Sequence, residues 1–239
     1  ALYLVTDRPA GLGQPLLLYV GETGQADRRW KGEHDCKAYL AAYSEALLKV
    51  GLGCQTSIRF WLDVPAAIRP RRALEQALIQ RWHGQGRLGY AITPRFAPSC
   101  SDAQLRGAGE LAAKYADVWV QSHVAENHDE IAWVRSLYPD ARSYLAVYEQ
   151  FGLLRPRSVY AHCIHFDDTD RALMRASGAA AAISPTSNLF LGSGFFDYEG
   201  ADRVGFAYGL ASDVGGGTSF SPFHTMLAAY YVGREGHSK

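Results

Sequence analysis

The chain has 239 residues, 48% of them hydrophobic and 20% charged, and equal numbers of basic and acidic side chains, 24 of each. That composition excludes a disordered tail and allows one large domain or two small ones with a buried core. The charge is unevenly placed, with a small positive excess before about residue 82 and an equal negative one after it. The excess permits a polyanionic partner without demanding one, and ordinary solvated charge explains it equally.

No apolar run approaches the roughly 18–20 residues needed to span a bilayer, so no membrane partner is expected. The first residues, ALYLVTDRPAG, lack the features of a secretory signal. Four scattered cysteines with no CxxC pair point to reduced thiols and a cytoplasmic setting.

In chain order, LLLYVGET is a short apolar run ending in a turn, and KAYLAAYSEALLKVG reads as a helix with Gly51 as its C-cap. SIRFWLDV is strand-like, and RPRRALEQALIQRW is helical, with Leu74, Ala77, Leu78 and Ile79 as its apolar face. Residues 1–82 therefore read as a small α+β unit. After Trp82 the strand candidates are GRLGYAITPRF, DVWVQSHVAE, SVYAHCIHF, GAAAAISPT and VGFAYGLASDV. The helical stretches DAQLRGAGELAAKY, DEIAWVRSLY and DTDRALMRAS lie between them. That rhythm predicts a parallel sheet, and residues 83–239 read as a partial (β/α)8, TIM-type barrel. The fold class is thus mixed.

In such a barrel the chemistry sits at the C-terminal ends of the strands. Arg95, His123, His162 and Asp213 stand at those ends. Imidazole and carboxylate are ligand types of a hydrolytic metal, and Glu126, just beyond His123, is placed to carry a proton. A lone histidine at a strand end is more often a hydrogen-bonding group than a ligand. Three such residues at successive strand ends favour a metal.

Residues from about Leu78 to Lys239 resemble the guanine deaminases of the amidohydrolase superfamily. The resemblance is carried by RWHGQGRLGYAITPRFAPSCS, QSHVAEN, YAHCIHF, SPTSNLFLGSGFF and ASDVGGGTSFS. It implies guanine as substrate and Zn2+ held by His123, His162 and Asp213. It further implies Glu126 as the proton carrier, Asp213 as the group orienting water, and Arg95, Phe96, Ser187 and Asn188 as the purine pocket. His165 is expected to pack or hydrogen-bond. The same resemblance implies a His-x-His pair on an earlier strand, and this sequence contains none.

Residues 1–82 resemble the GIY-YIG nucleases, through Leu2-Tyr3-Leu4, Tyr19-Val20-Gly21, Arg29-Trp30, His34 and Glu75. This implies a DNA endonuclease in which Glu75 holds Mg2+ or Mn2+. Tyr3, Tyr19 and His34 would activate water and Arg29 would stabilise the phosphate. The plain alternative is that the two tyrosines pack and Glu75 is a surface charge paired with Arg71 or Arg72.

Two resemblances meeting near Trp82 read as a join between unrelated genes, a chimera. Three functions follow: an impaired guanine deaminase, a metal-dependent DNA nuclease, or an inactive fusion. Open barrel edges would favour a homo-oligomer.

Overall fold

The computed structural model describes residues 2–7, 16–22, 35–54, 56–61, 68–213 and 215–236. The chain divides into two compact units, Ala1–Ala67 and Ile68–Lys239.

The first unit contains β1 (Leu2–Asp7), β2 (Leu16–Glu22), α1 (Asp35–Lys49) and β3 (Thr56–Trp61). Its sheet is antiparallel with β1 in the middle, in the order β2-β1-β3. Tyr3 pairs with Gly21 and Phe60, and Tyr19 pairs with Val5. Asp7 is buried and accepts the Tyr43 hydroxyl at 2.8 Å. Burial, with that carboxylate beside it, pushes the Tyr43 phenol up to about 12. Helix α1 ends where expected: Gly51 takes a left-handed φ of 74°, and the Leu52 N–H returns to the Leu47 carbonyl at 2.9 Å. Arg29 and His34 lie outside the described residues.

The second unit opens with α2 (Ile68–Trp82). The sequence reading grouped this helix with the strands before it. In the structure it packs on α3 (Asp102–Lys114), and Arg72 pairs with Glu110 of that helix. The cause is its apolar face: Ile79 is buried within the second unit's hydrophobic core.

The strand candidates all form, as β4 (Ala91–Ile92), β5 (Trp119–Val124), β6 (Ser158–His162), β7 (Ala180–Ile183) and β8 (Ala207–Leu210). Every neighbouring pair is parallel and the order follows the chain. That is one sector of a (β/α) barrel, a partial parallel α/β fold. The connecting helices are α4 (His128–Leu137), α5 (Tyr144–Gln150), α6 (Asp168–Ser177), α7 (Pro185–Leu191), α8 (Tyr198–Val204) and α9 (Pro222–Glu235). A one-turn 3-10 helix, Ala97–Ser99, follows β4.

Side-chain caps fix where the helices start. Ser101 and Gln104 form a reciprocal capping box for α3, and Asn127, Ser143 and Asp167 cap α4, α5 and α6.

One face of the sheet is covered. Val120, Val124, Tyr160 and Ile183 point into a core shared with Leu105, Leu111, Val134, Leu145, Tyr148 and Met174. The other face is open at Trp119 and Gln121, and β8 is exposed along its whole length. Phe190, Phe220, Phe223 and Tyr230 are exposed near that edge of the chain order.

Helix α3 approaches the turn after α5 closely because position 109 has no side chain. A Cβ there would collide with the Phe151 carbonyl oxygen, which is backbone and cannot swing aside. Gly109→Ala is therefore expected to destabilise the second unit by about 1–3 kcal/mol, the cost of overpacking a tight contact. Chemical unfolding of the two proteins checks this; an unchanged midpoint would show that the turn yields freely.

Candidate active site

β5 and β6 run side by side with His123 opposite Ala161 and Val124 opposite His162. Strict strand alternation would place His162 on the face of Val124, away from His123. The backbone breaks that alternation at the strand end. His162 has φ 71°, in the left-handed region that a residue with a Cβ seldom adopts. The two imidazole rings consequently stack, with centroids 5.5 Å apart.

Each ring has a carbonyl oxygen at its Nδ1. For His123 it is the Arg95 backbone carbonyl at 2.6 Å, and for His162 it is the Asn188 side-chain carbonyl at 2.9 Å. A carbonyl oxygen can only accept, so Nδ1 carries a proton in each ring, and in the neutral ring Nε2 keeps its lone pair. That is the arrangement a metal-ligating histidine uses. Imidazole Nε2 is a zinc donor, so this pair fits zinc in type and tautomer. Asp213, the third expected ligand, has φ 48° and accepts the Ser187 hydroxyl at 2.6 Å. Among the described residues, however, no three His, Cys, Asp or Glu side chains come together as one group able to hold an ion. The structure brings the two imidazoles together and leaves Asp213 outside that pair.

Glu126 lies beside them. Its Oε2 is 3.6 Å from His162 Nε2, and its Oε1 accepts the Ser193 hydroxyl at 3.1 Å. One carboxylate oxygen is thus tethered and the other faces the imidazole. The Glu126 N–H is itself held by Glu130 Oε2 at 3.0 Å. Ser193 sits in the loop after α7, and its carbonyl accepts His165 Nε2 at 2.9 Å. His165 hydrogen-bonds, as expected, and its ring lies 4.0 Å from that of His128.

The expected pocket residues divide by role. Arg95 is exposed, with its guanidinium 5.6 Å from the Phe96 ring centroid, and Trp133 meets Phe96 edge-on at 6.1 Å. Ser187 and Asn188 are buried, and each spends a hydrogen bond on a residue expected as a ligand. Asn188 Nδ2 is left buried with no partner, a donor still free for a ligand.

Several residues that shape the site escaped the sequence reading. Tyr148, Ser193 and Trp133 act across gaps in the chain too long for spacing to show, whereas Glu130 holds the Glu126 N–H from four residues on. A usable signal existed in RSYLAVYEQ, where a serine N-cap precedes two tyrosines four residues apart. Behind Glu126, a cavity of about 230 Å3 has Arg142, Tyr144, His165 and Asp170 in its wall. Neither His123 nor His162 lines it.

Of the residues expected to form a nuclease centre, Arg29 and His34 lie outside the described residues. Tyr3 and Tyr19 are on paired strands of the first unit, while Glu75 is on α2 of the second. Glu75 is half-buried, and burial raises its carboxyl pKa. Tyr90, half-buried and near that carboxyl, is pushed up to about 12.

Comparison with known proteins agrees with the C-terminal reading. The model of the Amidohydrolase family matches residues 21–237. Guanine deaminase of Escherichia coli K12 is 47% identical over 155 residues, which is 65% of this chain and 35% of that protein. The solved structure of E. coli guanine deaminase superposes with a TM-score of 0.69 at 42% identity, covering 74% of this chain and 41% of that one. Guanine deaminase from C. acetobutylicum, solved with guanine in its active site, gives a TM-score of 0.67 at 32% identity, covering 72% of this chain and 42% of that one. The chain therefore spans well under half the length of these relatives. The family match begins inside the stretch expected to be nuclease-like, and these similarities give no support to a GIY-YIG domain, an endonuclease, DNA binding or a chimera.

The His165 environment predicts a pH effect. Burial lowers the His165 pKa from its ordinary value of 6.5, and His128 beside it adds to the lowering. The unfolded chain then takes up this proton before the folded one does. The contribution is fully present above about pH 6.5 and is lost as pH falls through the folded value. The unfolding midpoint should drop between about pH 7 and pH 5, and less steeply in His165→Gln. Equal slopes in the two proteins would contradict this reading.

Proposed function

The chain belongs to the amidohydrolase family, and on that premise we propose that its second unit carries the purine-deaminating site of a guanine deaminase-type hydrolase. The reaction converts guanine and water to xanthine and ammonia. The single observation behind this reading is the pairing of two Nε2-presenting imidazoles with a Glu126 oxygen 3.6 Å from one of them.

The family typically uses zinc. His123 and His162 would hold it, and the family resemblance implies Asp213, which stands outside that pair here, as a third ligand. Bound zinc would lower the pKa of a water and make hydroxide available near neutral pH. The chain's own groups do the rest. Glu126, tethered through one oxygen by Ser193, takes a proton with the other and delivers it to a ring nitrogen next to the carbon under attack. It then takes the second proton of that water, from the hydroxyl now on the carbon, and passes it to the amino group, which leaves as ammonia while the oxygen becomes the xanthine carbonyl. Asn188 Nδ2, buried and unpartnered, donates to an acceptor on the purine. Phe96, with Trp133 against its edge, offers a face for the ring. Arg95, exposed beside Phe96, closes the polar rim. Ser187 orients Asp213.

The sequence holds no His-x-His pair, so turnover by the chain alone is expected to be weak. Loss of guanine absorbance in the presence of added zinc measures it. Glu126→Gln should reduce the rate by at least about 100-fold, the usual worth of a positioned proton carrier. His162→Ala should remove turnover. No turnover by the parent chain, or full turnover by Glu126→Gln, would overturn the proposal.

A further inference from the structure

Tyr148 lies in α5, fully buried, behind the site and not in it. Its hydroxyl donates to the His123 backbone carbonyl at 2.8 Å and accepts the Ala97 N–H at 3.0 Å. It is also 2.8 Å from the Ser122 hydroxyl. These partners belong to two separate strand ends. Ser122 and His123 end β5, and Ala97 follows Arg95-Phe96 at the end of β4. The same two ends are joined directly at the Arg95 carbonyl, which accepts both the N–H and the Nδ1–H of His123.

One helical turn earlier on the same face is Tyr144, its ring 5.7 Å from that of Tyr148. The Tyr144 hydroxyl donates to Glu130 Oε1 at 3.0 Å, and Glu130 Oε2 accepts the Glu126 N–H at 3.0 Å. Burial raises both phenols; Tyr148 and Glu130 add to the rise at Tyr144, while the hydrogen bonds of Ser122, Tyr144 and Ala97 oppose it at Tyr148. They remain protonated donors at any ordinary pH.

We propose that Tyr148 is a positioning residue, whose single hydroxyl locks the ends of β4 and β5 together and so fixes His123 and the Arg95-Phe96 turn. Tyr144 does the same for Glu126 through Glu130. A phenol at this point ties two loops to one helix through a rigid ring. A phenylalanine would fill the same volume without the ties.

The role in zinc and guanine binding rests on the function proposed above; the mechanical role does not. The test uses Tyr148→Phe and a matched control, Tyr160→Phe. Tyr160 is equally buried, its ring is 5.0 Å from that of Tyr148, and its hydroxyl donates to the Leu153 carbonyl at 3.0 Å, an atom unconnected with the site. Hydrogen exchange of individual amides is followed by NMR in the parent chain and both variants. Tyr148→Phe should accelerate exchange at Ala97 and His123 about tenfold or more, while Tyr160→Phe leaves them unchanged even if both variants melt earlier. Tyr144→Phe should instead release the Glu126 amide. Unchanged exchange at Ala97 and His123 in Tyr148→Phe, or equal acceleration in both variants, overturns the proposal. Zinc affinity, read by chelator competition, should weaken about tenfold or more in Tyr148→Phe alone, as for other groups that orient a ligand from behind. A parent chain that takes up no zinc would count against the proposed function and leave the exchange result to decide the positioning role.

Discussion

An imidazole offers only one lone pair at a time, and the hydrogen bond at its other nitrogen decides which. In this chain both site imidazoles find a carbonyl oxygen at Nδ1, so each neutral ring keeps its lone pair on Nε2, which in His162 faces Glu126. Everything else about the site follows from how those two carbonyls are held. One is backbone, at the end of β4. The other is the side chain of Asn188, buried in the first turns of α7. The site depends on strand and helix ends being clamped to one another more than on any residue that touches substrate.

The clamps have a local cost. Ala125, His162, Cys163 and Asp213 all take left-handed backbone conformations, each at or just past a strand end. Such conformations persist where surrounding contacts over-determine them. Here the Cys163 N–H reaches the Val124 carbonyl, and the Ile164 and His165 N–H groups converge on the carbonyl of Ala125. Those bonds tie the turn after β6 to the turn after β5 and bring His162 round to face His123. The turns carrying the chemistry are thereby fastened sideways across the top of the sheet.

Much of the second unit was legible because its strands are short apolar runs bounded by polar turns, and its longer helices carry good caps. DTDRALMRAS shows both features, with Asp167 before it and Gly178 after it at φ 71°. Helix α5 was missed because seven residues give too little periodicity to stand out from a loop. The bonds its tyrosine hydroxyls make join residues 14 and more positions apart, which no local pattern encodes. Helix α2 falls within the second compact unit, and its amphipathic face shows in the sequence that it is covered, but not by which unit. His123, His162 and Glu126 were legible through their motifs. That Asn188 and Ser187 would spend their hydrogen bonds on His162 and Asp213 was not, since both choices use the same buried polar residues.

The tautomers of His123 and His162 test the central claim most directly. Long-range proton–nitrogen correlation NMR on selectively labelled chain assigns them without metal or substrate. The account predicts that both rings carry their proton on Nδ1, with Nε2 unprotonated. A neutral ring with its proton on Nε2 would mean that its Nδ1 accepts a hydrogen bond, with Asn188 turned the other way in the case of His162. The imidazole pair would then not be set to hold a metal, and the proposed site would lose its basis.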